Sequence, residues 1–416
     1  MIKISLLFFA FFLFLSCSNK KEPVVNGNRV GTDTLSVDVD NRLHTIDLGS
    51  NYHVCNDEML LSDVVADVEY IKLETRDASL IADITKVEYV NGNLFIQSNS
   101  LIYMFDKEGR FIRRIGSIGG GPEEYIQSFD FTADDSLVYV NSRNKICKYR
   151  VSDGSFAGGY MLLPPHDDNF QIFSLSNSNI VNVKGVAMIQ NSQIGFIRNN
   201  KGDSILCKYP DLSSLNMEDL KKARTVSYDP ITWPYKDIVN IRDVNSDTVF
   251  SVRDSIFYPR FVIDLGKYKM PLRIWYDRKE RFIQEPNYII LRTAMETSDY
   301  LYMLFNNNDV WNTDYYYFFR YSKPTGEIKV WKKYGEKYHY GFKNDVDGGT
   351  GVRVGFQIKG NYVWNAISTT TIDEFLTSEH FEKVSATMPE KKAQLQRLTQ
   401  LMQPDDNPII ALYKLK

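Results

Sequence analysis

From Ala66 onward the chain alternates short apolar runs with polar turns. The stretch NLFIQSNSLIYMFDKEGRFIRRIG, from Asn93, reads as a strand, a Ser-Asn-Ser turn, a second strand, an Asp-Lys-Glu-Gly turn and a third strand. Alternation of period two, rich in β-branched and aromatic residues and broken by Asp-Gly or Asn-Gly turns, is the pattern of antiparallel strands. SLVYVNSRNKICKYRVSDGSFAGGY, from Ser136, repeats that order, and NIVNVKG begins it again, so that Leu94, Leu137 and Ile180 stand at intervals of 43 residues. The turn glycines Gly109, Gly154 and Gly202 follow in step. A period near 43 is that of one four-stranded propeller blade.

Looser units begin at Asp247, Tyr300 and Val352 and bring the number to six. A β-like start, ADVEYIKLE, and a β-like end, NPIIALYKLK, supply strands that close a ring by pairing first with last, which removes exposed sheet edges. A sandwich would lack this register, and a solenoid would leave its ends unpaired. The expected class is therefore all-β: a six-bladed β-propeller over residues 46–416, closed by strand 407–416. Between residues 371 and 403 the period turns helical. Pro389 sits near a first helical position, and Leu395, Leu398, Leu401 and Met402 form a stripe. This reads as a short helical insertion in the closing blade, packed on the ring.

Ahead of the strands, MIKISLLFFAFFLFLSCSNKKEP carries an apolar run from Ile4 to Leu15. It falls short of the roughly 20 residues that span a bilayer and fits an export signal. Ser16 before Cys17 resembles the lipobox of bacterial lipoproteins, although Phe14 and Leu15 depart from its usual residues. That resemblance implies a signal peptide over 1–16, lipidation at Cys17, a polar tether over 17–45 and a cell-envelope location, with the outer membrane expected. The residues after Cys17 carry no acidic run of the kind some bacteria use as a surface signal, so both membrane faces fit. No long apolar run follows.

The 49 basic and 52 acidic residues are interspersed, with a formal net charge of −3, which leaves no electrostatic footprint for nucleic acid. Besides Cys17 the cysteines are Cys55, Cys147 and Cys207, an odd number, so the chain is not a disulfide scaffold.

The densest cluster of glycines with charge is RRIGSIGGGPEEY, from Arg113 to Tyr125. It matches neither phosphate-loop spacing, no lysine follows it, and its carboxylates stand where phosphate would go. After the third strand and an outer fourth, the chain must cross from the rim of one blade to the inner strand of the next, and glycine with Pro122 suits that crossing. Such crossings share one face of a propeller. LPPHDDNF, QEPNY and NDVDGG occupy the equivalent positions, so Glu123, Glu124, Tyr125, His166, Asp167, Asp168, Glu285, Asp345 and Asp347 are expected to converge on one channel mouth. There they would bind a divalent cation or a polyhydroxylated ligand. The competing reading is that Asp, Asn and Gly simply make turns. An EF-hand is excluded, because Lys343 and Val354 would fall where carboxylates are needed. Trp233 and Trp275, beside loop signals, are candidates for stacking on a sugar face.

VEYIKLET (68–75), FDKEGRFIRRIG (105–116), GGGPEEY (119–125), NDVDGG (344–349) and DNPIIALYKLK (406–416) together resemble the six-bladed propeller lipoproteins of glycan-degrading anaerobic Gram-negative bacteria. That resemblance implies the fold and an envelope location; it carries no established reaction. The sequence has no G-x-S-x-G or H-E-x-x-H, and its five histidines are scattered. The expected function is a lipid-anchored, non-catalytic module that binds a glycan or an envelope protein, with no cofactor. Two alternatives stand beside it: an envelope hydrolase or lyase using carboxylates at the mouth, and a structural accessory subunit.

Overall fold

The structure, a computed structural model, describes residues 42–142, 145–162, 170–184, 195–208, 230–243, 246–272, 274, 288–307, 315–334 and 341–416. The chain enters with β1 (His44–Asp47) and β2 (Val65–Lys72), then builds four-stranded antiparallel sheets in sequence order. Blade one is β3 (Ile84–Val90), β4 (Asn93–Ser98), β5 (Leu101–Asp106) and β6 (Phe111–Arg114). Blade two is β7 (Asp130–Ala133), β8 (Leu137–Ser142), β9 (Lys145–Arg150) and β10 (Phe156–Met161). Blade three is β11 (Phe170–Ser174), β12 (Ile180–Lys184), β13 (Gly195–Arg198) and β14 (Ser204–Lys208). Blade four is β15 (Ile231–Tyr235), β16 (Ile238–Arg242), β17 (Thr248–Arg253) and β18 (Ile256–Asp264), and blade five is β19 (Ile289–Glu296), β20 (Tyr300–Asn307), β21 (Tyr315–Ser322) and β22 (Ile328–Tyr334). Blade six takes β23 (Gln357–Ile358), β24 (Tyr362–Ile367) and β25 (Ile409–Leu415) from the end of the chain and its outer strand, β2, from the beginning.

The protein is thus a six-bladed β-propeller closed by first-with-last pairing. β2 runs antiparallel to β25, with Val68 opposite Tyr413 and Tyr70 opposite Ala411. Blades one to five are chains of hairpins. The first hairpin is turned by Asn91 and Gly92, both at positive φ, as a two-residue turn between right-twisted strands requires. Apolar side chains from facing sheets fill the spaces between blades.

Three details differ from the sequence expectation. The inner strand of blade one, β3, precedes Asn93, and β6 is itself the outer strand, so no fourth strand follows Arg114. Lys86 and Glu88 break the apolar run of β3 and hid it. His44 and Thr45, assigned to the tether, open β1, which pairs in parallel with β18 as a fifth strand. Beyond β1 the chain straps the neighbouring rim: the Cys55 amide donates to Val330 O at 2.7 Å, and Asp57 accepts from Trp331 Nε1 at 2.8 Å. The strap covers the outer edges of blades four and five, which would otherwise present unpaired backbone.

Helical segments lie between β24 and β25, over Thr369–Leu376, Glu379–Lys383 and Pro389–Gln400. Pro389 takes a first helical position. Leu395 is fully buried and Leu398 and Met402 pack beside it, but Leu401 is exposed. Lys391 ties this helix to β2, donating to Val68 O at 2.6 Å. Cys147 and Cys55 are free thiols, buried and half-buried.

Candidate functional site

The inner strands β3, β7, β11, β15, β19 and β23 surround the axis. Their inward positions place polar and charged groups in a channel, because side chains alternate along a strand and the innermost strand borders the axis as well as the next blade. At the end where the rim-to-centre crossings arrive, a cavity of about 360 Å³ is lined by residues of five blades, among them Lys86, Glu88, Asp130, Gln171, Thr232 and Gln357. Phe129, Phe173, Phe356 and Trp364 supply apolar walls, with Phe356 stacked on Trp364 at 4.9 Å between centroids. A second cavity of about 570 Å³ lies at the hairpin end, where Asp134, Asp135, Ser176, Lys236 and Asp237 are found. Lys359 lines both.

The charges at the axis are placed by hydrogen bonding. Lys86 meets Asp130 at 2.8 Å and Glu88 at 3.5 Å and donates to Phe131 O at 2.6 Å. Glu88 in turn accepts from the Ala133 amide at 2.8 Å, and Asp130 from the Ile172 amide at 2.7 Å. Burial works against the Lys86 ammonium, but Asp130 and Glu88 outweigh it and hold its pKa above the ordinary lysine value. Lys359, on the β23–β24 turn, donates to the main-chain and hydroxyl oxygens of Ser174. Burial pushes its pKa below the ordinary value.

Beside the channel, between blades four and five, lies a fully buried ionic cluster. Glu296, the last residue of β19, receives the Arg260 guanidinium through both oxygens, Lys323 at 2.6 Å and Trp233 Nε1 at 2.9 Å. All three ionic side chains have exposures of 1% or less. The Gln357 side chain bonds the Glu296 backbone at both its N–H and its C=O, which links blade five to blade six.

The residues singled out in the sequence meet other fates. Tyr125 is fully buried in the core of blades one and two, and its hydroxyl donates to Ile115 O at 3.2 Å. Glu124 folds back on its own loop and accepts from the Gly121 amide at 2.8 Å; a Cβ at Gly119 would strike its carboxylate. Glu123 is exposed, and its carbonyl accepts from Tyr149. The glycine loop is therefore a self-closed crossing, as its turn chemistry suggested.

NDVDGG is also a structural turn. Asp345 accepts from the Ser62 amide at 2.9 Å and from its hydroxyl at 2.6 Å. Asp347 is fully buried and accepts from Tyr70, from Tyr413 at 3.3 Å and from the Gly349 amide at 2.6 Å. Burial raises its carboxyl pKa. Trp233, expected beside an exposed loop, is 1% exposed and committed to Glu296. None of Glu123, Glu124, Tyr125, Trp233, Asp345 and Asp347 lines either cavity. His166, Asp167, Asp168, Glu285 and Trp275 lie outside the described residues. Among the described residues no cluster of three metal-ligating side chains occurs.

Sequence reasoning passed over the axial residues themselves. A signal was present: Lys86-Val-Glu88 sets two charges at period two inside an otherwise apolar strand, the mark of an inner strand with a wet face.

A family model described as "Domain of unknown function (DUF4934)" matches residues 43–414. Among solved structures, the chain is similar to a "Putative exported protein" from Bacteroides fragilis NCTC 9343, at 16% identity and a TM-score of 0.59, covering 90% of this chain and 100% of that one. A catalytically inactive virginiamycin B lyase from Staphylococcus aureus, solved with quinupristin, matches at 10% identity and a TM-score of 0.37, covering 72% of this chain and 95% of that one. No curated protein matches.

Proposed function

The chain belongs to the DUF4934 family, whose description names no activity, and from the site alone we propose that it is an exported, lipid-anchored propeller that binds a small polar ligand in its axial channel without turning it over. The observation that carries this is the axial cavity of about 360 Å³, which pairs aromatic walls with amide, hydroxyl and charged groups from five blades. That size and mixture are those of a small-molecule site. Ring faces beside amides suit a polyhydroxylated ligand such as a glycan fragment. Export and anchoring rest on the apolar run Ile4–Leu15 and on Cys17; the similar B. fragilis protein is described as a "Putative exported protein". An outer-membrane address follows from the same reading.

A hydrolase or lyase reading has one observation in its favour, the carboxylates of Glu88 and Asp130 at the cavity. Both are bound by Lys86 and by backbone amides, which favours binding over proton transfer. The test is thermal unfolding of the chain from Ser18 with a panel of saccharides, calcium and EDTA. A ligand at 100 times its Kd adds about 2.7 kcal/mol. A shift is expected with a saccharide, unchanged by EDTA and retained when Glu123 and Glu124 are changed to Gln. No shift with any member of the panel would move the reading to an envelope-protein partner.

A further inference from the structure

Among the described residues two lysines line the 360 Å³ cavity, and their surroundings differ. Lys86 faces two carboxylates, Asp130 at 2.8 Å and Glu88 at 3.5 Å. Lys359 reaches from blade six to Ser174 on blade three and finds only that residue's carbonyl and hydroxyl, both neutral. Among the described residues no carboxylate lies within ion-pair distance of it.

The pKa directions follow the contrast: Lys86 is held up, while burial presses Lys359 down against the charge of Glu88, with Lys86 adding to the lowering and Asp134 and Asp135 opposing it. A buried cation solvated by neutral oxygens alone is costly, and an anion brought beside it lowers that cost. Lys359 lines the 360 Å³ cavity as well as the 570 Å³ cavity that Ser174 borders, so a ligand in the channel comes within reach of its side chain. The same cavity offers the Phe356–Trp364 stack and the Gln171 and Thr232 side chains for the uncharged part of the molecule.

We propose that the ligand of the axial channel carries a carboxylate that pairs with Lys359, making it a hydroxylated acid of monosaccharide size, such as a uronate, in preference to its neutral counterpart. This rests on the axial site proposed above and adds the charge of what it holds. Lys359 supplies the cation that the ligand completes, and the aromatic wall takes the ring face.

Glucuronate and glucose, and galacturonate and galactose, differ only by a carboxylate in place of a hydroxymethyl group, so calorimetric titration of each pair isolates the charge. An ionic hydrogen bond in such a site makes the acid tighter by roughly tenfold to a hundredfold. Lys359→Met is expected to bring the acid down to the affinity of the neutral sugar, and Lys359→Arg to keep the preference, with unfolding transitions recorded for both variants. If Lys359→Met does not fold, the wild-type pairs decide. Equal affinities within each pair, or a preference that survives Lys359→Met, would overturn the assignment while leaving the channel a binding site. No binding of any of the four sugars, with none from the wider panel, would overturn both readings.

Discussion

The ammonium of Lys359 donates to the backbone and hydroxyl oxygens of Ser174, and the two residues belong to blades six and three, opposite one another in ring order. One side chain thereby crosses the axis and lines both cavities. It also joins the blade that closes the ring to the blade farthest from the closure. A shorter side chain would not span the channel, and an apolar one would present no charge in it.

The seam of the ring depends on Asp347. It accepts from Tyr70 on the first strand of blade six and from Tyr413 on the last, so Asp347→Ala leaves two buried hydroxyls without their acceptor. A loss of about 3–5 kcal/mol is expected, read as a fall in the denaturant midpoint. Asp347→Asn should cost less. The folded carboxyl is raised above its ordinary 3.8 by burial. Its contribution is therefore full below that pH and declines as pH rises through the folded value, so the wild type should lose stability over that range relative to Asp347→Asn.

His44 gives the opposite slope. It stacks on Phe261 at 5.3 Å, its Nδ1 lies 3.2 Å from Tyr321 Oη, and its Nε2 is buried with no hydrogen-bond partner among the described residues. Burial, then the charges of Arg42, Arg260 and Lys323, lower its pKa from 6.5 to about 4, with Glu296 opposing. The folded state favours the neutral ring, so its contribution is present above pH 6.5 and lost as pH falls towards 4. Urea midpoints measured across that window should fall in the wild type and fall less in His44→Gln. Equal slopes would contradict the placement of β1 against blade four.

Glu296→Gln tests the cluster between blades four and five. Removing the carboxylate leaves Arg260 and Lys323 buried without their shared counter-charge, and a loss of about 3–5 kcal/mol is expected by equilibrium unfolding. A change below about 1 kcal/mol would mean that the cluster is hydrated.

The fold was legible because propeller blades repeat their turns: Gly109, Gly154 and Gly202 all adopt positive φ, and their spacing showed in the sequence. Ring closure was legible in the strand-like ends. The site was not. Acidic residues near glycine serve turns and ligands alike, and the turn claimed Glu124, Asp345 and Asp347. Trp233 looked exposed beside Pro234, but its partner, Glu296, stands 63 positions away. The channel residues come from different blades, and only the ring's geometry brings Lys86, Gln171, Thr232 and Lys359 to one axis.

If the axial cavity holds the ligand, occluding it abolishes binding. Thr232 lines the cavity and is only half-buried, so Thr232→Trp should fill space at the axis without disturbing the core between blades. Calorimetric titration of the tightest saccharide into wild type and Thr232→Trp, with both shown to unfold cooperatively, should give binding in the first and a loss of about a hundredfold or more in the second, on the order of 2.7 kcal/mol. Unchanged affinity in Thr232→Trp would place the ligand elsewhere on the propeller and contradict the account.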